Sequence, residues 1–388
     1  MGSVIDGSAI DTVLRDAVER GAVPNAVAIA ADRDGVIYRG AAGPIALGGD
    51  EPAAADTHFR IMSMTKMVAT VAALQQVEQG RLDLDAPVAE YRPEFADVQV
   101  LDGWDGDTPR LRAPSAQATV RQLVTHTSGL GYWFLSEDLI RWEATTGTPN
   151  VLSGANAIFK APMLADPGER FIYGISTDWL GKVVEATSGV TLDEAISQGI
   201  TGPLGMHDTA FQLGEGWKDS TTPVAVHTPD GWVDSGVELN QTPEYFAGGH
   251  GLYSTPNDYI RFQRALLCDG ELDGARILRP ETVEAAFRNQ IGEIDFPASI
   301  PSFDPNSSCD VDLGPGLKWG LGLLLNTEDV PGMRKAYSGA WAGIANTHFW
   351  LDRASGVCAS IYSNLLPFVR PEALQVFVEF ETALYGAL

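Results

Sequence analysis

Residues 63–80 read SMTKMVATVAALQQVEQG, and this stretch carries the clearest structural pattern in the chain. Downstream of Lys66, apolar side chains recur every three or four positions as far as Val77, and Gly80 is a typical helix end. The pattern predicts a helix whose N-terminus lies at or near Ser63. Because residues three apart lie on the same side of a helix, Ser63 and Lys66 should be neighbours.

A serine and a lysine in this arrangement suit nucleophilic catalysis. The serine hydroxyl is a poor nucleophile until a base takes its proton, and a lysine can be that base when burial lowers its pKa from about 10.4. The N–H groups and the dipole at a helix start also favour negative charge on a bound substrate. A serine three residues before a lysine also arises by chance, with about 0.3 matches expected here. The motif therefore needs support from the rest of the chain.

The two ends of the chain predict one shared sheet. Near the N-terminus, residues 8–18 have helical spacing with Ser8 available as N-cap, and strand-like residues 26–30 and 36–39 flank a turn. Near the other end, helical spacing over residues 371–385 follows three strand-like runs. Those runs are residues 321–326, 347–352 and 357–363. Strands from both ends, with the terminal helices packed on one face, would form an α/β lobe.

The middle of the chain has mostly helical periodicity, interrupted by loops that contain glycine and proline. We therefore expect two lobes that interleave along the sequence. The predicted α/β lobe comprises residues 1–80 and 290–388, and the predicted helical lobe comprises residues 81–289. The cleft between two lobes is the natural position for an active site.

Composition excludes several classes of protein. With 26 basic and 51 acidic residues the chain carries a formal charge of −25, so phosphate backbones and anionic membrane surfaces would repel it. We expect neither a nucleic-acid nor a membrane partner, since no apolar run approaches the ~20 residues that span a bilayer. The three widely spaced cysteines predict neither a disulfide framework nor a zinc site. The first residues lack a basic and an apolar region, so we expect no secretion signal and a cytoplasmic location.

Six motifs in order along the chain resemble the serine β-lactamase and penicillin-binding-protein superfamily, in its class C-like branch. They are residues 63–66 (SMTK), 123–130 (LVTHTSGL), 167–173 (PGERFIY), 203–206 (PLGM), 248–252 (GGHGL) and 341–343 (WAG) before the strand-like run 347–352. Within that branch the chain most resembles the family VIII carboxylesterases, over nearly its whole length. The resemblance implies a β-lactamase/DD-peptidase-like α/β fold. No metal-ligand spacing is visible, and we expect no metal and no cofactor.

The resemblance also implies roles for single residues. Ser63 would be the acylated nucleophile, and Lys66 would be its hydrogen-bonded partner. Tyr173 matches the tyrosine of the second motif, which protonates the leaving alcohol and helps to activate water. How Lys66 and Tyr173 divide the role of base stays open, because coupled groups titrate as a unit. The backbone N–H groups of Ser63 and Ile344 would form the oxyanion hole, and Tyr132 resembles an additional active-site tyrosine of the esterases.

Departures from the lactamase motifs bear on the substrate. Class C β-lactamases carry Tyr-x-Asn and Lys-Thr-Gly, whereas this chain has Ile175 at the Asn position and Trp341, Ala342 and Gly343 in place of Lys-Thr-Gly. The cation for a substrate carboxylate and the amide for a side-chain amide are both missing. As substrate-binding residues, Ile175 and Trp341 should prefer neutral, apolar groups, which favours esters over penicillins. Gly174 also departs from the Tyr-Ser-x that family VIII esterases often carry.

The expected function is a serine carboxylesterase acting on small-molecule esters, with short acyl chains, through an acyl-enzyme at Ser63. Acyl transfer of the kind used in lovastatin synthesis is a close variant. The alternatives are amide hydrolysis (β-lactamase, D-aminopeptidase or amino-acid-oligomer hydrolase) and a non-catalytic binding descendant. The missing Lys-Thr-Gly argues against the first two amidases, and the retained Ser, Lys and Tyr argue against a binding protein. We expect His126 to be structural, and the oligomeric state stays open.

Overall fold

A computed structural model describes residues 4–388; residues 1–3, on which the expectation about a secretion signal partly rests, lie outside the described part. The helices are α1 (Ser8–Glu19), α2 (Thr65–Glu78), α3 (Val88–Tyr91), α4 (Val120–Val124), α5 (Glu137–Thr146), α6 (Ser176–Ser188), α7 (Leu192–Ile196), α8 (Pro256–Leu267), α9 (Pro280–Ala286) and α10 (Pro371–Ala387). The strands are β1 (Ala26–Asp32), β2 (Val36–Ala42), β3 (Phe59–Arg60), β4 (Val100–Asp105), β5 (Thr108–Arg112), β6 (Ala225–Thr228), β7 (Gly231–Asp234), β8 (Tyr253–Ser254), β9 (Glu271–Leu272), β10 (Ala275–Arg276), β11 (Ser299–Ile300), β12 (Val311–Asp312), β13 (Leu317–Trp319), β14 (Leu324–Asn326), β15 (Gly339–Gly343), β16 (Thr347–Asp352), β17 (Val357–Tyr362) and β18 (Leu365–Leu366).

One large antiparallel sheet organises the fold, with its strands in the order β13-β14-β15-β16-β17-β1-β2. Neighbours β1 and β17 pair in register from Val27 with Tyr362 to Asp32 with Val357, although they come from opposite ends of the chain. The prediction of an α/β fold whose sheet is built by both chain ends is therefore confirmed. The β1–β17 pairing closes a loop of more than 300 residues, which contains every described element except α1, β18 and α10.

Both faces of the sheet are covered by helices because its central strands are apolar on both sides. Along β1, Ala26, Ala28 and Ala30 face a cluster that includes side chains of α1 and α10. The alternate residues Val27 and Ile29 face the larger cluster, which contains side chains of α2 and α8. This alternation is the two-residue period of a β-strand. The second face, with α2, is the one that carries the predicted nucleophile.

Two predicted element boundaries differ from those of the structure. Helix α1 begins at Ser8 and Gly7 is its cap residue, so Ser8 is not the N-cap. The strand expected over residues 321–326 is shorter, since β14 begins only at Leu324. Gly322 adopts a left-handed φ of 81°, and this turn breaks the extended conformation before the strand starts.

The middle of the chain contains α3 to α9 and also several short β-hairpins, such as β4–β5 and β6–β7. Helix α2 is buried on all sides over its first ten residues, from Thr65 to Leu74, because it lies between the large sheet and the helices of the middle segment. Among residues 4–388 no helix combines the length and the apolar character needed to cross a membrane.

Candidate active site

Ser63 lies in a short 3-10 turn, Met62–Met64, that leads directly into α2. The preceding residue Met62 has a left-handed φ of 46°, a conformation that costs a non-glycine residue about 1–3 kcal/mol and that clusters at functional sites. Ser63 is 8% exposed and is one of the residues that line a large, mostly apolar cavity. The expected position of Ser63 at a helix N-terminus is confirmed.

Lys66 is a buried cation in this site, with 1% of its surface exposed. Its Nζ donates to Ser63 Oγ at 3.0 Å, to the Tyr132 hydroxyl at 2.9 Å and to the Gly249 carbonyl at 2.7 Å. Burial lowers the pKa of Lys66 to about 7, because the charged amine is held away from water. An amine with such a pKa is available as a base near neutral pH and points directly at the hydroxyl of Ser63.

Tyr173 completes a three-residue cluster with Ser63 and Lys66. Its hydroxyl accepts a hydrogen bond from the indole N–H of Trp341 at 3.0 Å, and Tyr173 lines the same cavity as Ser63. The Lys66 amine lies 4.7 Å from the centre of the Tyr173 ring. Burial raises the pKa of Tyr173 well above its usual value of 10, and the neighbouring Ser63 and Trp341 side chains oppose only part of that rise. Tyr173 therefore holds its proton near neutral pH and is a proton donor there.

Asp178 is a buried acid beside this cluster that the sequence analysis missed. It lies in the first turn of α6 and is completely inaccessible to solvent. Its Oδ1 accepts from the N–H of Gly249 at 3.0 Å, and its buried Oδ2 has no hydrogen-bond partner among the described residues. Burial raises the pKa of Asp178, while the nearby Lys66 ammonium acts in the opposite direction. Its only sequence signal was an acid at the start of a helix, which is also typical of exposed helix ends.

Two glycines are required by the close packing of this site. A Cβ on Gly174 would lie 2.3 Å from the Leu130 carbonyl oxygen and 2.4 Å from Gly131, so the backbone after Tyr173 presses against the 130–131 backbone. A Cβ on Gly249 would lie 2.5 Å from Asp178 Oδ2. The departure from Tyr-Ser-x at position 174 thus has a steric cause, since serine would not fit there.

The 123–130 motif lies beside this cluster. In the 123–130 segment, the His126 carbonyl accepts from Ile172 N–H at 2.8 Å, and the Ser128 hydroxyl hydrogen-bonds to Ser176 at 2.9 Å. These contacts fix both sides of Tyr173. The His126 ring packs 4.8 Å from the Tyr173 ring, and burial lowers the pKa of His126, so the imidazole is neutral. His126 thus packs against Tyr173, a placement that agrees with the structural role we expected for it.

The predicted substrate-binding residues occupy four kinds of position. Trp341 and Ala342 line the cavity that contains Ser63, as does Ile344 of the expected oxyanion hole, and Tyr132 contacts Lys66 instead. Gly343 is buried where β15 presses on the start of the nucleophile turn; a Cβ there would lie 2.4 Å from the Ile61 carbonyl oxygen. The lining residues of that cavity do not include Ile175, which is 4% exposed and packs in the core at the start of α6.

The fold and this cluster agree with the sequence comparisons. The Beta-lactamase family profile matches residues 10–383, so the chain belongs to that family. It is 31% identical to monacolin J acid methylbutanoyltransferase from Aspergillus terreus, over 100% of this chain and 99% of that protein. It is also 31% identical to lovastatin esterase from Penicillium rubens, over 90% of each chain.

Solved structures place the chain in the same superfamily. Simvastatin synthase (LovD) from Aspergillus terreus, unliganded, superposes with a TM-score of 0.85 at 27% identity, covering 98% of both chains. EstCE1, described as a hydrolase with promiscuous acyltransferase activity, superposes with a TM-score of 0.80 at 21% identity and 98% coverage of both chains, a likeness of fold. The predicted membership of the serine β-lactamase and penicillin-binding-protein superfamily is confirmed.

Proposed function

We propose that this protein is a serine acyl-enzyme catalyst that cleaves carboxylic esters and passes the acyl group to water or to an alcohol. The observation that carries the proposal is the buried Lys66 amine 3.0 Å from Ser63 Oγ, with the Tyr173 side chain beside both residues. A nucleophile and a base are then in hydrogen-bond contact before substrate arrives, and a proton donor lies next to them.

The two pKa shifts divide the proton transfers between Lys66 and Tyr173. Neutral Lys66 takes the Ser63 proton as Oγ bonds to the ester carbonyl carbon, and Tyr173 gives its proton to the alkoxide as the carbon–oxygen bond breaks. The Lys66 ammonium then restores the Tyr173 proton. In the second half the incoming water or alcohol loses its proton along the same path, and Ser63 is regenerated.

Negative charge on the former carbonyl oxygen needs donors, and we assign these to the backbone N–H groups of Ser63 and Ile344. Ser63 lies in the turn that starts α2, where N–H groups point outward along the helix axis. Ile344 directly follows β15 and lines the same cavity as Ser63. Backbone donors at these two points would be preorganised, because Ser63 lies in the turn that leads into α2 and Ile344 directly follows β15.

Neutral esters are preferred over penicillins in this proposal because the third motif supplies an indole in place of an ammonium. Trp341 uses its N–H on Tyr173 and packs edge-on against the Trp319 ring at 4.7 Å. It therefore offers no charge to a substrate carboxylate. The Beta-lactamase family name describes the shared fold, and the relatives named as an esterase and as acyltransferases handle esters.

Acyl transfer is the second candidate, and it is favoured by the relative named methylbutanoyltransferase, which aligns over the whole chain. We would measure turnover of p-nitrophenyl acetate and butyrate beside a chromogenic cephalosporin, with and without an added alcohol acceptor. Wild type should turn over the esters and leave the cephalosporin nearly intact, and Ser63→Ala should be inactive but folded. New ester formed with the alcohol would identify acyl transfer. Substantial ester turnover by pure Ser63→Ala, or cephalosporin turnover that exceeds ester turnover, would contradict the proposal.

A further inference from the structure

The cavity that begins at Ser63 extends well beyond the reacting atoms. Its volume is about 300 Å³, and it passes the free edge of β15 to reach α10, on the opposite face of the sheet. It is lined mostly by apolar side chains; at the end near α10, which we call the far end, these include Leu324, Val330, Met333, Leu374 and Phe377. We infer that this cavity binds an extended or bulky apolar group of the substrate, so that the ester is larger than a short-chain one. The inference rests on the proposed function.

The cavity can pass β15 because only the first two residues of that strand pair with its neighbour β14. Pairing with β14 involves Gly339 and Ala340 and stops there. The outer edge at Trp341 and Ala342 therefore borders the cavity, and Ala340 and Ala342, both with small side chains, leave room beside it. A chain attached at Ser63 can run along this edge without displacing a strand.

A segment that we call the roof, residues 299–313, covers this route. It contains the short hairpin β11–β12, and its residues Ile300, Val311 and Leu313 line the cavity. The roof is tied at two places: Phe303 N–H donates to the Phe134 carbonyl at 2.7 Å, and Cys309 N–H donates to the Phe368 carbonyl at 3.0 Å. These ties hold an enclosed apolar volume over the edge of the sheet.

The charges at the far end of the cavity cancel each other. Arg334 donates to both carboxylate oxygens of Glu381, at 2.7 and 2.5 Å, and both side chains are nearly buried. The His348 ring stacks on Phe377 at 4.5 Å, and burial lowers the pKa of His348 to about 3, so it is neutral. Because the Arg334 cation is already paired, the far end selects a neutral group and gives an anionic one no advantage.

The volume of the cavity indicates whether it binds a short or a long apolar group of the substrate. Pockets for drug-sized ligands start at about 300 Å³, the volume of this cavity, and an acetyl group would leave most of it empty. Each buried methylene increases binding by roughly fourfold, so kcat/KM should rise with chain length until the cavity is full.

The test compares chain length in two ester series, p-nitrophenyl esters from acetate to decanoate and acetates of alcohols from ethanol to decanol. We expect kcat/KM to rise at least about 10-fold with length in one series, which identifies whether the acyl or the alcohol group enters the cavity. Leu374→Trp fills the far end and should abolish that rise. Val378→Trp on the same helix faces solvent, with 42% of Val378 exposed, and should leave the rise intact.

A second measurement separates this inference from the proposed function. Alkyl fluorophosphonates of increasing length label an activated serine whatever its natural substrate. If esters are not turned over but labelling of Ser63 accelerates with alkyl length and Leu374→Trp removes the acceleration, the proposed function fails and the cavity inference stands. Rates that stay flat or fall with length in both ester series and in labelling, in folded wild type, overturn the inference.

Discussion

Replacing Asp178 by asparagine tests how the buried lysine is made into a base. The asparagine would keep the shape of the side chain and an oxygen that can accept from Gly249 N–H, now 3.0 Å from Asp178 Oδ1. The Gly249 carbonyl, which accepts from Lys66 at 2.7 Å, should therefore stay in place. The main change is the loss of one negative charge facing Lys66.

The expected effect is a shift of the pH profile with a defined sign. Burial lowers the pKa of Lys66 to about 7, and the charge of Asp178 opposes that lowering. An opposite charge nearby shifts a pKa by about 1–3 units, so Asp178→Asn should lower the Lys66 pKa further by that amount. Activity needs neutral Lys66 and is lost as pH falls through its pKa. The acidic limb should thus move from near pH 7 to lower pH by about 1–3 units.

The plateau of kcat/KM above that limb should fall. When Ser63 gives its proton to Lys66, the new ammonium is stabilised by Asp178, as the aspartate of a serine-protease triad stabilises the imidazolium. One pKa unit corresponds to about 1.4 kcal/mol, so losing 1–3 units of this stabilisation costs about 10- to 1000-fold in rate. The remaining titratable groups that face Lys66 stay uncharged near pH 7, because burial lowers the pKa of the histidines and raises that of the tyrosines. These groups are His126, His250, Tyr132 and Tyr173.

The assay is kcat/KM for a p-nitrophenyl ester from pH 5 to 9, together with the rate of fluorophosphonate labelling over the same range. Asp258→Asn is the matched control: Asp258 is also buried in the first turn of a helix and accepts from Asp208 N–H and the Thr209 hydroxyl, but it does not contact Lys66. Its profile should keep the limb near pH 7, even if its melting temperature falls. An acidic limb that stays near pH 7 or moves upward in folded Asp178→Asn would refute this reasoning.

Three further substitutions test the neighbouring contacts. Tyr173→Phe should lower kcat by about 10²–10⁴-fold for alkyl esters, and by less for p-nitrophenyl esters, whose leaving group needs no proton; a comparison of both substrates measures this. Trp341→Phe keeps the aromatic packing but removes the 3.0 Å bond to Tyr173, so kcat/KM should drop up to about 10-fold with an unchanged melting temperature. Gly174→Ala should lower the free energy of unfolding, measured in urea, by about 1–3 kcal/mol or more. Gly386→Ala, with open space around the glycine, should not lower it.

The sequence was most informative where contacts are local. Ser63 and Lys66 are one helical turn apart, so their contact follows from helix geometry alone. The contacts of Lys66 with Tyr132 and Gly249 join positions far apart in the chain, and their distances depend on how loops pack. Apolar strand-like runs and helical spacing likewise predicted the sheet from both chain ends, because strands buried on both faces are continuously apolar.

The surroundings of three other residues could not be predicted from the sequence. An acid in the first turn of a helix normally complements the dipole at the surface, so Asp178 gave no sign that it is buried beside the active site. Trp341 lines the cavity of Ser63, but nothing in the sequence indicated that its N–H donates to Tyr173. Ile175 matched the position of a catalytic-site amide, but its apolar side chain packs inward, where an apolar residue gains most from burial.

Hydrolysis and acyl transfer share every step up to the acyl-enzyme, so the residues around Ser63 serve both reactions. What differs is which hydroxyl reaches the acyl carbonyl next. Water gains nothing from an apolar cavity, whereas an alcohol with an apolar body is held there at a high effective concentration beside Ser63. When the substrate's own apolar group fills the cavity as the acyl chain, that advantage disappears and water competes better. The side of the ester that occupies the cavity should therefore decide whether this site acts as an esterase or as an acyltransferase.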